Sequence, residues 1–397
     1  MPSFADPCGI PYYDSKIGDE EAFLAGAMEL LGGRELSPEW RDFLIRLYSA
    51  AGRGEHAIVE GMLGTLEPAD PLRKRAVGLV AAARFPHLAA RYLLPRKWYP
   101  ALMLHVEPNL ALPGLRTGRC GFRLPDGGAT PEASTVVLGD GYGFDAGLAY
   151  DRTLAGRLNA LDPSRPVGNL SIPDAGLVQK LIGFELFASS KIETLVVVEG
   201  VTGLHAGLTQ PVTTFPPIPP LFREEMFHRT FNGIVPSKRK HSEPRAEDEA
   251  ARAALDIGYD ALRTLLRTAR RYGVERLMVV AAPHFPAAPT ADTPWEAHLQ
   301  RLAQLSGDRT DLVAFAEETP ATATRHSTAT AEVCRSEGAV FLDTTAFRAP
   351  GGGPTFADLH SLTPAAYDLW ATQILARLDR IPKPTTAGEA TARTTDT

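Results

Sequence analysis

The chain has 397 residues, 44% hydrophobic and 22% charged, which leaves room for one large domain or two ordinary ones around a core of normal size. A formal net charge of −6 excludes the global positive field that draws a protein to nucleic acid or an anionic membrane. The three cysteines, Cys8, Cys120 and Cys334, are too dispersed for a disulfide framework or a paired metal site, which fits a reducing compartment.

Residues 1–16 show no basic stretch followed by an apolar one, so no signal peptide is expected. No apolar run approaches the ~20 residues that cross a bilayer. The expectation is a cytoplasmic protein with no nucleic-acid partner and no membrane insertion.

From about residue 19 to 94 the apolar spacing is helical. Phe23, Ala27, Leu30 and Leu31 share one face, and Gly32-Gly33 ends the run. Ser37-Pro38-Glu39 reads as an N-cap, a proline at the first helical position and an acidic first turn. The helix it starts presents Trp40, Phe43, Leu44 and Leu47 on one side. A third helix spans about 56–66, with Ile58, Val59, Met62 and Leu63, and His56 reads as a surface or helix-end residue. Residues 1–94 are thus expected as a small helical domain with nothing catalytic in it. Residues 95–133, rich in Pro and Gly, read as a connector.

After Thr135 short β-branched runs alternate with helical stretches. The strand candidates are Val136-Val137-Leu138, Val167 to Ile172, Leu195 to Val198, Leu277 to Val280 and Val340-Phe341-Leu342. Helices are expected near 150–161, 175–189, 250–272 and 311–337, and another after Thr363-Pro364. Five such runs separated by helices predict an α/β fold, a doubly wound parallel sheet covered on both faces. Ligands in such sheets bind at the carboxyl ends of the strands. Residues 134–381 form this domain, 205–249 are read as a surface insertion that includes the basic run Lys238 to His241, and 382–397 as a disordered tail.

Two resemblances follow from particular motifs. Phe23 to Pro38, Gly52-Arg53-Gly54-Glu55 and Ile58-Val59-Glu60 resemble a helical domain of unknown function found in bacterial surface-glycan and glycosyltransferase-associated proteins. That likeness implies a glycan context and leaves open a protein partner for the helical domain. Leu138-Gly139-Asp140-Gly141-Tyr142-Gly143, with Gly121-Phe122-Arg123 upstream, Asp151-Arg152-Thr153, Asn169-Leu170-Ser171-Ile172-Pro173 and Asp358 to Tyr367, resembles the SGNH (GDSL-type) hydrolases over about residues 118–380. It implies a three-layer α/β domain preceded by the helical one.

The resemblance also locates four departures from that family's chemistry. Gly141 stands where the family has its nucleophilic serine, so no side chain is there to attack a carbonyl. Asp174 stands where a glycine gives an oxyanion donor, which puts a carboxylate beside developing negative charge. Thr202 replaces the usual asparagine. Counting back from Leu362-Thr363-Pro364, the histidine position falls on Ser361, with Asp358 three residues before it, and His360 comes one residue early.

Three functional readings result. In the first, a pocket lined by Gly141, Tyr142, Glu199 and Ser361 binds an acylated or glycan-type small molecule without ordinary ester hydrolysis. In the second, Asp140, Asp174, Glu199 and His360 supply acid/base chemistry or hold a divalent cation, with Thr202 and Asp358 as further catalytic candidates. In the third, a residual esterase or acyltransferase recruits Ser171, Thr202, Ser361 or Cys120. No cofactor is expected. Each group also has a structural reading: Asp140 holding backbone at the strand–helix turn, Glu199 capped by backbone, Tyr142 and Phe144 packing. His284 reads as a loop histidine. His205, His228 and His298 have no partner at metal-ligand spacing, and His326 is expected on an exposed helix face.

Overall fold

The structure is a computed structural model, and it describes residues 19–30, 36–68, 70–85, 96–99, 103–112, 115–125, 133–145, 148–173, 175–188, 191–200, 249–285, 293–306, 320–349, 353–359 and 361–381. Among these, five helices open the chain: α1 (Asp19–Leu30), α2 (Pro38–Gly52), α3 (His56–Gly64), α4 (Pro71–Lys74) and α5 (Ala76–Arg84). Ser37 caps α2 as its sequence predicts, its Oγ accepting the Trp40 N–H at 3.3 Å with Pro38 in the first turn. Helices α4 and α5 lie within the expected helical region, though the sequence does not mark their bounds. In α5, seven of nine residues are buried, so the alternation of apolar and polar faces that betrays a surface helix is missing.

The stretch expected as a connector contains strands. β1 (Arg96–Tyr99) pairs antiparallel with β2 (Met103–Val106), and β3 (Ala111–Leu112), β4 (Leu115–Thr117) and β5 (Arg123–Leu124) form a second small antiparallel sheet. Runs of two to four residues are too short to show a period in the sequence.

The α/β region follows as β6 (Thr135–Leu138), α6 (Gly141–Phe144), α7 (Leu154–Leu161), β7 (Val167–Asn169), α8 (Leu177–Phe187), β8 (Thr194–Glu199), α9 (Glu249–Arg271), β9 (Arg276–Ala281), α10 (Pro294–Ser306), α11 (Pro320–Ser336), β10 (Val340–Asp343) and α12 (Pro364–Leu378). All five expected strands are present and all pair in parallel, in the order β10-β9-β8-β6-β7. The fold class is therefore the doubly wound α/β sheet, with a helical N-terminal region. Helix α10 went unread, because its Pro294-Trp295-Glu296 start follows a proline-rich stretch.

Strand alternation sorts the core into two layers. Val137, Val196, Val198, Met278 and Val280 face α7, α10 and α12, while Val136, Leu138, Leu195, Val197, Leu277 and Val279 face α8, α9 and α11. Buried on both faces, β8 and β9 read as continuous apolar runs. The first layer does not stop at the α/β region. Leu63, Leu72 and Val80 of the helical region belong to the same buried cluster as Leu299 and Leu302 of α10. Arg73 ties the two further, donating through Nε to the Leu305 carbonyl at 3.0 Å and through Nη1 to Leu66 O at 2.7 Å.

In chain order the sheet runs first to β7 on one side of β6 and then crosses to β8 on the other. The order thus reverses between β6 and β8, and the carboxyl ends of these two strands flank the crevice where such sheets bind ligands.

Candidate functional site

At that crevice β6 ends in Gly139-Asp140 and turns directly into α6. The turn is fixed from both sides by one carboxylate. Asp140 Oδ1 accepts the Tyr142 N–H at 3.1 Å as the N-cap of α6, and Oδ2 accepts the Gly200 N–H at 3.0 Å, just past the end of β8. Asp140 is fully buried. Both oxygens are engaged by backbone, so this residue braces the switch point, as its structural reading proposed.

A second brace comes from β7. Asn169 Nδ2 donates to Gly143 O at 2.8 Å, its Oδ1 accepts the Ser171 N–H at 2.9 Å, and Ser171 Oγ accepts the Gly139 N–H at 2.9 Å. Glycines make this approach possible. A Cβ on Gly143 would lie 2.3 Å from Ser171 Oγ, and one on Gly200 would lie 2.3 Å from Asp140 Oδ2.

The third brace is Arg123 of β5, almost fully buried. It donates through Nη1 to the Phe144 carbonyl at 2.9 Å and also reaches the carbonyls of Asp145 and Leu148. These carbonyls leave α6 at its end, where Asp145 takes a left-handed conformation with φ 38°, a region that Asp tolerates better than most residues. The small sheet thereby supports the turn after β6 through Arg123.

Gly141 opens α6 at the position where the resemblance places the serine, half-buried beside the crevice. Tyr142, expected as a pocket wall or as packing, is packed. It is 4% exposed, lies in the first core layer, and its hydroxyl donates to Pro283 O at 2.9 Å. Tyr367 of α12 donates to the Tyr142 carbonyl at 3.2 Å, and burial with Asp145 beside it holds its hydroxyl well above the ordinary tyrosine range.

Glu199 ends β8 on the face turned to α8. It is buried and ion-paired with Lys180, itself fully buried. Sequence reading missed Lys180, because a lysine inside an otherwise amphipathic helix looks solvent-facing. Burial raises the Glu199 pKa despite the pull of Lys180, and Glu199 Oε1 has no hydrogen-bond partner among the described residues. His326, expected exposed, is half-buried on α11 with Nδ1 at 2.9 Å from Tyr259 Oη. Its pKa is lowered to about 4, chiefly by burial and then by Lys180. The His284 ring is likewise lowered to about 4 by burial, while its backbone N–H donates to Thr345 O at 3.0 Å.

The last block forms a closed loop. Ala357 N donates to Ser361 O at 2.8 Å, Phe356 bridges Leu362, and Thr363 N donates to Thr355 O at 2.9 Å. Asp358 and Ser361 are both buried there. Thr363 caps α12, its Oγ1 accepting the Ala366 N–H at 3.3 Å. Asp174, Thr202 and His360 lie outside the described residues, as do Cys8, His205, His228, the 205–248 part of the insertion and the tail. Among the described residues no three metal-binding side chains are grouped, and no helix is long and apolar enough to cross a membrane.

No family model matches the sequence, and no curated protein matches it. Solved structures similar to it include an extracellular lipase from Streptomyces rimosus (12% identity, TM-score 0.37, 62% of this chain and 98% of that one). A phospholipase A1 from Streptomyces albidoflavus (11%, TM-score 0.34, 62% and 98%) is also similar. So is a carbohydrate acetylesterase family member from Sinorhizobium meliloti (10%, TM-score 0.33, 62% and 98%).

Proposed function

We propose that this protein is an SGNH-type α/β protein that binds an acylated or glycan-type small molecule at the β6–β8 crevice without ordinary ester hydrolysis. The observation that carries the reading is Gly141. It opens α6 at the crevice, in a turn held by Asp140, Asn169, Ser171 and Arg123, yet it brings no nucleophile. Ser361, buried in the closing loop, stands at the histidine position and is no general base at neutral pH. The acid/base reading loses two of its groups to structural work: Asp140 is used by backbone and Glu199 by Lys180. The ligand class comes from the resemblance. Among the described residues Cys120 and Cys334 are free, which fits a cytoplasmic setting.

The test is hydrolysis of p-nitrophenyl acetate by the purified chain, beside Gly141→Ser, Ser361→His and the double variant. The wild type is expected to match buffer. A first helical position accepts a serine without backbone strain, so the double variant is the one expected to gain turnover. Wild-type turnover well above buffer would sink the binding reading, and its loss in Ser171→Ala or Ser361→Ala would identify the nucleophile.

A further inference from the structure

Helix α10 joins two parts of the protein that lie far apart in the chain. Toward the helical region, His298 Nδ1 lies 2.6 Å from Glu60 Oε1, a contact between residues 238 positions apart. Arg301 Nε donates to the same oxygen at 2.7 Å. The His56 ring stacks flat on His298, with centroids 4.2 Å apart and planes within 4°. Trp295 closes the cluster, 5.9 Å from His56, 5.8 Å from His298 and 5.5 Å from Phe85.

Toward the site, the same turn of α10 holds the closing loop. Trp295 Nε1 donates to Phe356 O at 3.0 Å. Glu296, fully buried, accepts the Thr355 and Phe356 N–H groups on Oε1 at 3.0 and 3.3 Å. Asp358 follows two residues later.

We infer that the helical region is an acid-sensitive clamp: protonation at the stacked His56–His298 pair undocks α3 from α10 and loosens the 353–362 loop that carries Asp358 and Ser361. A carboxylate only accepts, so His298 donates Nδ1–H to Glu60 and keeps a lone pair on Nε2. That nitrogen is buried with no hydrogen-bond partner among the described residues. A proton added there becomes an N–H⁺ with no acceptor, stacked against a second imidazole. Among the described residues the other charged groups facing the pair are Glu60 from α3, Arg84 from α5, and Arg301 on α10 itself. Glu60 alone favours the proton, and Arg301 already shares it. Glu296 is occupied by Thr293 and the loop backbone.

The sign follows from burial. Desolvation lowers His298 to about 4 in the docked state and lowers His56 in the same direction. Undocked, the rings return to about 6.5. The undocked state therefore takes up protons first, and docking is complete above pH 6.5 and weakens as pH falls toward 4. For His298 alone the docking equilibrium shifts roughly 30-fold at pH 5. The inference is independent of whether the crevice binds a ligand.

The experiment is hydrogen exchange of the full chain by mass spectrometry at pH 7.5 and 5.0, corrected for intrinsic exchange. Peptides from α3 and from 353–362 are expected to lose protection together, on the order of 30-fold, while β8 and β9 keep theirs. His298→Gln should remove most of this response and His56→Phe, which keeps a stacked ring, only part of it. The clamp is overturned if α3 opens without the loop, if β8 and β9 open with it, or if His298→Gln responds like the wild type. Should His298→Gln not fold, histidine ring titration by NMR on the wild type decides. The buried ring whose resonance moves in His56→Phe must titrate below pH 5, and titration near 6.5 overturns the clamp.

Discussion

The turn after β6 and the loop before α12 carry the two ends of the proposed site, and the protein fixes them by different means. The turn is tied by its own sheet: Asp140 to the start of α6 and the end of β8, Asn169 and Ser171 from β7, and Arg123 from β5. The loop closes on itself and is then held by α10, a helix that also carries the N-terminal region. The turn keeps this bracing although Gly141 has no nucleophile to aim. Gly139, Gly143 and Gly200 are held by close approach of neighbouring atoms, so the glycines around this turn report the fold more than the chemistry.

The largest expected effect strikes the β8 side of the turn. Lys180→Met leaves Glu199 buried without its cation, and breaking such a pair costs about 3–5 kcal/mol. Because burial raises the folded-state pKa of Glu199 above its ordinary value, its contribution is present below about pH 4.5 and is lost as pH rises through the raised value. The variant, with no counter-ion left, widens that window. Urea unfolding should show a larger deficit at pH 7.5 than at pH 5. A deficit independent of pH would remove Glu199 as its cause.

Next comes Gly200→Ala, which drives a methyl to 2.3 Å from Asp140 Oδ2 and 2.9 Å from Tyr142 Cδ2. Overpacking of this kind costs about 1–3 kcal/mol. Exchange protection should fall at residues 139–145 and stay unchanged in 353–362. Equal loss in both would mean that the two ends are one cooperative unit, and the contrast between them would dissolve.

How much of this could be read from sequence divides along the same line. The five strands and the α12 start were legible, since β-branched runs and a Thr-Pro cap are local signals. Asp140 holding backbone at the strand–helix turn was one of two readings its place in the sequence allowed, while the short α6 it caps was not expected. What the sequence hid is what depends on distant partners. Lys180 looks like an ordinary helix lysine until Glu199 is placed against it, and His56 and His298 share no spacing that would pair them. Arg123 sat in a stretch read as connector because β3, β4 and β5 are too short to carry a pattern.

A milder change should touch only the loop. Glu296→Gln keeps the shape of the side chain but removes the charge that strengthens its bonds to the Thr355 and Phe356 N–H groups. About 1–2 kcal/mol of stability should be lost, with exchange protection falling across 353–359 and unchanged at 139–145.

The smallest effect separates the loop from the helix that follows it. Thr363 accepts the Ala366 N–H as the cap of α12, while its hydroxyl donates to Pro354 O at 2.9 Å and its N–H to Thr355 O. Thr363→Ala removes the first two and keeps the third, so the loop retains its closing backbone bond. Loss of a cap costs about 1 kcal/mol, and the donor lost to Pro354 adds a few tenths. If thermal unfolding shifts by that amount while 353–359 keep their protection, the loop's shape is set by α10 and its backbone ladder. If protection there collapses with the cap, α12 is a third support, and the loop is tied as widely as the turn.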